Sequence, residues 1–453
     1  MMNPASDAMF DGEIFEKIRQ QFDAVPYPNV PLEQSPKENI DLLYRHDIRT
    51  AYYLRDRQVV STAGKTILDA GCGSGYNALV LAMANPEAEI VGIDLSETSV
   101  AMARDRLRYH GYSNVTFHTL SIDDLPSLGL QFDYINCDEV LYLFPDIAQA
   151  LRTLKAVLKP TGIIRTNLHS SVQRVTYFQA QEVFRLLGLL DGNPGELEMG
   201  IVSETFEALE DWVTVKQKTW TNVEERRKNK TDDVEFLLMN YLFQGDKGYT
   251  INDMFAALEA ADLEWIDMVN GPQWSLVDLF KNAENLPAFW AMGLPDAPIA
   301  LQLRLKELLH PMHRLLDFWC GAPQGDRAIA LPSEWSEAQW RNARVHLHPQ
   351  LKTPQVYQAL FRAIENHDAF AISQFIPSTQ TKEVIFLKNP MSACLLPLWE
   401  GPQTVQFLID RWLHIHPCNI MTLEPTSAEQ AFLEVTNMVA GLEARLYLLL
   451  EPA

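Results

Sequence analysis

The chain has 453 residues, 47% of them hydrophobic and 10% aromatic, and a formal net charge of -22 at pH 7. That length suits two or three domains with sizeable cores, which excludes a disordered or low-complexity chain. The acidic balance opposes a phosphate backbone, so nucleic acid is not an expected partner. No run approaches the roughly 18 apolar residues of a membrane span, and Asp7, Asp11 and Glu13 stand where a signal peptide needs basic and apolar regions. Cys72, Cys137, Cys320, Cys394 and Cys418 form no CxxC pair, so reduced thiols and a cytoplasmic location are expected.

In chain order, residues 10–60 read as helices interrupted by the extended "VPYPNVP", a strap or lid. From Lys65 to about Val269 apolar strands alternate with helical periods, the pattern of a parallel sheet covered on both faces. "KTILDA", "EIVGID", "VTFHTL", "FDYINC" and "IIRTNLH" are its first five strands, and "IAQALRTLKAVLKPTG" is a helix stopped by Pro160 and Gly162. "TINDMFAALEAADLEWIDMV" repeats the helix-then-strand order. The basic cluster at 225–230 reads as a solvated loop, and residues 271–330, with "LLDFW" as core, as a helical linker region. Residues 331–453 read as mostly helical, including "AEQAFLEVTNMVAGLEARLYLLLE".

The loop after the first strand carries the chemistry. Tyr76 and Asn77 follow its last glycine where a P-loop needs Lys and Ser or Thr. A dinucleotide fingerprint counted from Gly71 puts Tyr76 at the third glycine, where a side chain obstructs the close approach. The spacing is instead D-x-G-x-G-x-G, from Asp69 through Gly71, Gly73 and Gly75, with Asp94 ending the second strand. Small residues let a backbone pass close to a bound ligand, and an acid at the end of the second strand can accept from hydroxyls.

This pattern resembles the first motif of class I S-adenosylmethionine-dependent methyltransferases over roughly residues 60–270. The resemblance implies a Rossmann-like seven-stranded sheet with helices on both faces, and S-adenosylmethionine as donor with S-adenosylhomocysteine as product. It places Gly71, Cys72, Gly73, Gly75 and Asn77 in the cofactor loop, Asp69 toward the ammonium, and Asp94 with Leu95 at the ribose. Ser121, Ile122 and Asp123 stand at the adenine, with Ser121 where an acid is usual, and Cys137 ends the fourth strand. "FDAVPYPNVPLEQSP", "LPSLGLQFDYINCDEVLYLFPD" and "LLPLWEGPQTVQFLIDRW" further resemble the bacterial group with a C-terminal, winged-helix-like regulatory domain that includes protein lysine methyltransferases.

The domains expected are a strap at 1–60, a methyltransferase domain at 61–270, the linker at 271–330, and a regulatory or substrate-recruiting domain at 331–453. Asp138 paired with Tyr142, and His169 ending the strand "IIRTNLH", are the catalytic candidates, because a protonated amine acceptor must lose a proton. Tyr27, between Pro26 and Pro28, is a candidate lid residue. The acceptor is a protein, a lysine by the resemblance, or a small molecule, in which case the C-terminal part serves a homodimer. A non-catalytic module that binds S-adenosylmethionine is the reading from another class. "VHLHP" and "HIHPC", the latter with strand-like spacing, lack the spacing of a structural zinc site, and no metal is expected.

Overall fold

The computed structural model describes residues 16–23, 26–220, 230–325, 330–377, 384–418 and 422–452. The expected loop at 225–230 falls almost wholly outside them. A seven-stranded sheet is built from β1 (Thr66–Ala70), β2 (Glu89–Asp94), β3 (Val115–Thr119), β4 (Phe132–Cys137), β5 (Leu158–His169), β6 (Glu264–Met268) and β7 (Leu315–Gly321), in the order β3-β2-β1-β4-β5-β7-β6. The first five are parallel, and β7 runs antiparallel to both β5 and β6. Two-residue alternation sends successive side chains to opposite cores. Leu68, Val91, Ile135 and Ile164 pack on one face, and Ile67, Ile90, Tyr134 and Ile163 on the other.

Three expectations are corrected. The boundary at 270 cuts the sheet, since "LLDFW" belongs to its seventh strand; β5 and β6 flank it and all but its first residue are buried, so the run is apolar without alternation. The helix expected to end at Gly162 ends at Ala156, and Pro160 and Gly162 lie in β5. Pairing steps from Phe132↔Leu158 to Tyr134↔Ile163, so an irregularity in the ladder accommodates both residues. The chain's end is not all helical. The helix stops at Glu443, and Leu448–Glu451 forms a strand.

That strand and Gln403–Thr404 flank the strand Arg344–Leu347 on either side in a three-stranded antiparallel sheet, packed with the helices Pro354–Glu365, Val405–Ile415 and Ala428–Glu443. The N-terminal helices Ile40–Arg45 and Ile48–Asp56 join this region to the large sheet. Thr50 Oγ1 lies 2.9 Å from His348 Nε2, Tyr53 donates to Glu443 at 2.8 Å, and Gln350 donates to Asp47 at 2.8 Å. His346 pairs with Glu451 at 2.8 Å. "HIHPC" straddles the end of a helix, so its strand-like spacing is not realised. Among the described residues no helix is long and apolar enough to cross a membrane.

Candidate functional site

The strand order reverses beside β1, with β2 on one side and β4 on the other, which opens a crevice at the carboxyl ends of the strands. The loop 71–75 crosses it. Gly73 has φ +49°, and an added Cβ would lie 2.1 Å from the Tyr27 carbonyl oxygen; at Gly75, φ +83°, it would lie 2.6 Å from Ala103 Cα. Both positions therefore demand glycine twice over, by backbone conformation and by close approach.

Tyr27 belongs to the proline-rich strap, which the loop holds down. Ser74 donates its backbone N–H to Tyr27 O at 3.0 Å and its hydroxyl to Pro28 O at 2.6 Å. Buried Arg106 donates to Ser74 O, Pro31 O and Val30 O at 3.0, 2.9 and 2.7 Å. Beneath the strap lies a cavity whose wall includes Gly71, Cys72, Gly73, Asn77, Asp94, Leu95, Leu120, Ile122 and Asp138.

Asp94 lines the cavity. Its carboxylate accepts from Gly73 N and Ser96 N, each at 2.9 Å, and burial raises its pKa above the ordinary range. Asp69 is 1% exposed and lies outside the wall. One of its oxygens accepts from Asn136 at 2.9 Å, the other has no hydrogen-bond partner, and burial pushes its pKa up to about 7. A buried carboxylate oxygen left without a partner is stabilised by a cation brought near it.

At the adenine end only Ile122 of the expected trio lines the cavity. Ser121 turns its hydroxyl to Asp123 N at 3.2 Å as a helix cap, and Asp123 is exposed. Gly75 and Cys137 are likewise outside the wall. Gly75 acts through the tight turn, and Cys137 is buried, its carbonyl accepting from Thr166 at 2.9 Å.

The expected pairing of Asp138 with Tyr142 is not formed, because they face different spaces. Asp138 faces the cavity, accepting from Asn77 at 3.2 Å and from Asn167. Burial would raise its pKa, but Arg165, 3.9 Å away, outweighs that and holds the carboxyl well below its usual range, unsuited to taking up a proton. Arg165 is itself buried, pairing with Asp317 at 2.7 Å and donating to His46 Nε2 at 2.7 Å. Tyr142 faces a second, open groove lined by Phe22, Tyr27, Glu139, His169, Phe243 and Arg314, among others. Its phenol donates to Glu139 at 3.1 Å, and its ring stacks on His169 with centroids 3.8 Å apart.

His169 Nδ1 lies 2.6 Å from Asp246, and Nε2 lies 3.1 Å from Arg314 Nη1. A guanidinium only donates, so Nε2 is the accepting nitrogen and Nδ1–H donates to Asp246. Phe22, Tyr27 and Glu139 line both spaces, which therefore adjoin. Glu139 holds a left-handed backbone, φ +61°, with its N–H donating to Asn167 at 2.9 Å. Arg314 and Asp246 went unnoticed in the sequence: each lies in an irregular segment remote from the residues it touches, and no local spacing marks it.

Comparison with known proteins agrees with this architecture. A family model described as a methyltransferase domain matches residues 61–240. A protein of Synechococcus sp., syc1184_c, is 26% identical over 319 residues, 69% of this chain and 73% of that one. A ubiquinone biosynthesis O-methyltransferase of Acinetobacter baumannii is 30% identical over 108 residues, and the match spans 24% of this chain and 45% of that enzyme. Among solved structures, PKMT2 from Rickettsia typhi in complex with AdoHcy superposes with a TM-score of 0.58 over 94% of this chain and 78% of that one, at 15% identity, a likeness of fold. Motif, sheet order and family match together give the chain a methyltransferase domain of the class I S-adenosylmethionine-dependent type, matched over residues 61–240.

Proposed function

We propose that the chain methylates an amine on a protein, taking S-adenosylmethionine in the cavity beneath the strap and the acceptor in the adjoining groove. The observation that carries this reading is that Phe22, Tyr27 and Glu139 line both the cavity bearing the glycine loop and a more open groove of aromatic rings and carboxylates beside it. Bound in the cavity, the donor supplies an electrophilic methyl group on a sulfonium.

The chain's own residues would do the rest. Asp94 accepts from ribose hydroxyls, Asp138 at the wall and Asp69 below it favour the donor's ammonium, and Leu120 and Ile122 flank the adenine. The strap over the loop excludes water. His169, backed by Asp246, is the proton acceptor for a protonated amine, and Tyr142 holds its ring in place rather than acting as a base. A net charge of -22 and the groove carboxylates Glu139 and Glu235 suit a basic protein. In domain terms, residues 61–321 form the catalytic unit, and residues 331–453, a three-stranded sheet packed with helices, serve as a winged-helix-like regulatory or recruiting domain.

Isothermal titration with S-adenosylmethionine and S-adenosylhomocysteine, alongside Asp94→Ala, tests the donor site. A labelled-methyl screen of cell lysate then separates protein from small-molecule fractions. Label confined to small molecules would overturn the protein reading, and no binding by the unaltered protein would overturn the donor site.

A further inference from the structure

Three arginine–carboxylate pairs surround the groove and the cavity, and they differ in one respect. Arg165 with Asp317 has side-chain exposures of 2% and 12%, Arg174 with Asp246 has 1% and 0%, and Arg314 with Glu139 has 43% and 16%. The first two are sealed into the fold, where breaking a pair leaves a buried charge uncompensated. Arg314 instead reaches its partner from the solvent side. Its guanidinium contacts both Glu139 oxygens, one at 2.9 Å, and a second branch of the same contact reaches His169 Nε2 at 3.1 Å.

Glu139 is fixed where it stands. Its left-handed backbone is tied to Asn167, and its carboxylate also accepts from Tyr142 at 3.1 Å. It lines both the cavity and the groove, as do the aromatic residues Phe22 and Tyr27. A fixed carboxylate beside aromatic faces is a site for an organic cation. Arg314 fills that site with a cation of the chain's own, and at the same time covers the imidazole nitrogen that a bound ammonium would need.

We propose that Arg314 is a resident cation, displaced from Glu139 by a cationic amine acceptor, and that its departure uncovers His169 Nε2. Glu139 is then the residue that selects a cationic acceptor. The inference rests on the reading of the groove as the acceptor site. With Arg314 displaced, the ammonium pairs with Glu139 and passes one proton to His169 Nε2, and Asp246 balances the imidazolium that results. The amine is left neutral with its lone pair free, and no other bond changes.

The test uses the full chain and n-butylammonium chloride as the probe, with sodium chloride at equal ionic strength as the reference, read by thermal shift and titration calorimetry. Arg314→Ala is expected to bind butylammonium at least tenfold more tightly than the unaltered protein, whereas Arg314→Lys, which keeps a tethered ammonium, responds as the unaltered protein does. Arg314→Ala combined with Glu139→Gln is expected to lose the gain. Equal responses from Arg314→Ala and the double variant, or no gain in Arg314→Ala, would overturn the proposal. S-adenosylhomocysteine titration of every variant separates the two readings. Retained binding without a butylammonium gain defeats the role of Arg314 alone, while no binding by the unaltered protein defeats the donor site. Should Arg314→Ala lose S-adenosylhomocysteine binding, Arg314→Gln carries the same comparison.

Discussion

Gly73→Ala probes how the strap is held over the loop. The new methyl would stand 2.1 Å from the Tyr27 carbonyl oxygen and 3.2 Å from its carbon, distances no small adjustment relieves, so the strap must lift. Lifting breaks the two bonds from Ser74, to Tyr27 O at 3.0 Å and to Pro28 O at 2.6 Å, each contributing about 1 kcal/mol. Alanine at positive φ costs about 1–2 kcal/mol more. Gly111 supplies the reference: its φ is +80° and an added Cβ there meets nothing within 4 Å, so Gly111→Ala carries the backbone cost alone. The difference between the two variants is therefore about 2 kcal/mol, roughly a thirtyfold shift in equilibrium. Since Tyr27 and Pro28 form part of the cavity wall, that factor is expected in S-adenosylhomocysteine affinity by calorimetry, together with faster proteolysis of the strap. Equal affinity and equal urea stability for the two variants would refute the reasoning.

Other perturbations test separate parts of the site. Asp94→Ala removes the acceptor for Gly73 N and Ser96 N, each bond to a carboxylate contributing about 1.5–3 kcal/mol, so the urea midpoint should fall and donor binding should drop below detection; an unchanged midpoint would exclude this role. Asp69 has its pKa raised by burial from 3.8 to about 7, so between those values the unfolded chain binds fewer protons than the folded one. The contribution of Asp69 to stability is then lost as pH rises through that window, and Asp69→Asn should flatten the slope of ligand-free stability between about pH 4 and pH 7. A slope the same in both proteins would count against it. Arg165→Met leaves Asp317 and Asp138 without their buried cation and should cost about 3–5 kcal/mol in urea unfolding. A loss under about 1 kcal/mol would mean that those carboxylates are protonated or hydrated.

What the amino-acid order determined by itself is whatever depends on near neighbours. Asp69, the three glycines and Asp94 lie within 26 residues and on adjacent strands, so the donor loop could be read from spacing, and short apolar runs set between helical periods marked the first five strands. Tertiary structure decided the rest. "LLDFW" is a strand because β5 and β6 flank it, and a short apolar run by itself does not separate strand from buried helix. Asp138 and Tyr142 are four residues apart but face different spaces, because the turn after β4 swings one toward the loop and the other toward the groove. Glu139 meets Arg314 across 175 residues, and His169 meets Asp246 across 77. The first depends on how β7 docks beside β5 and the second on the bridge between Ser170 and Tyr249, and a contact made by the packing of distant segments leaves no periodicity in the chain to announce it.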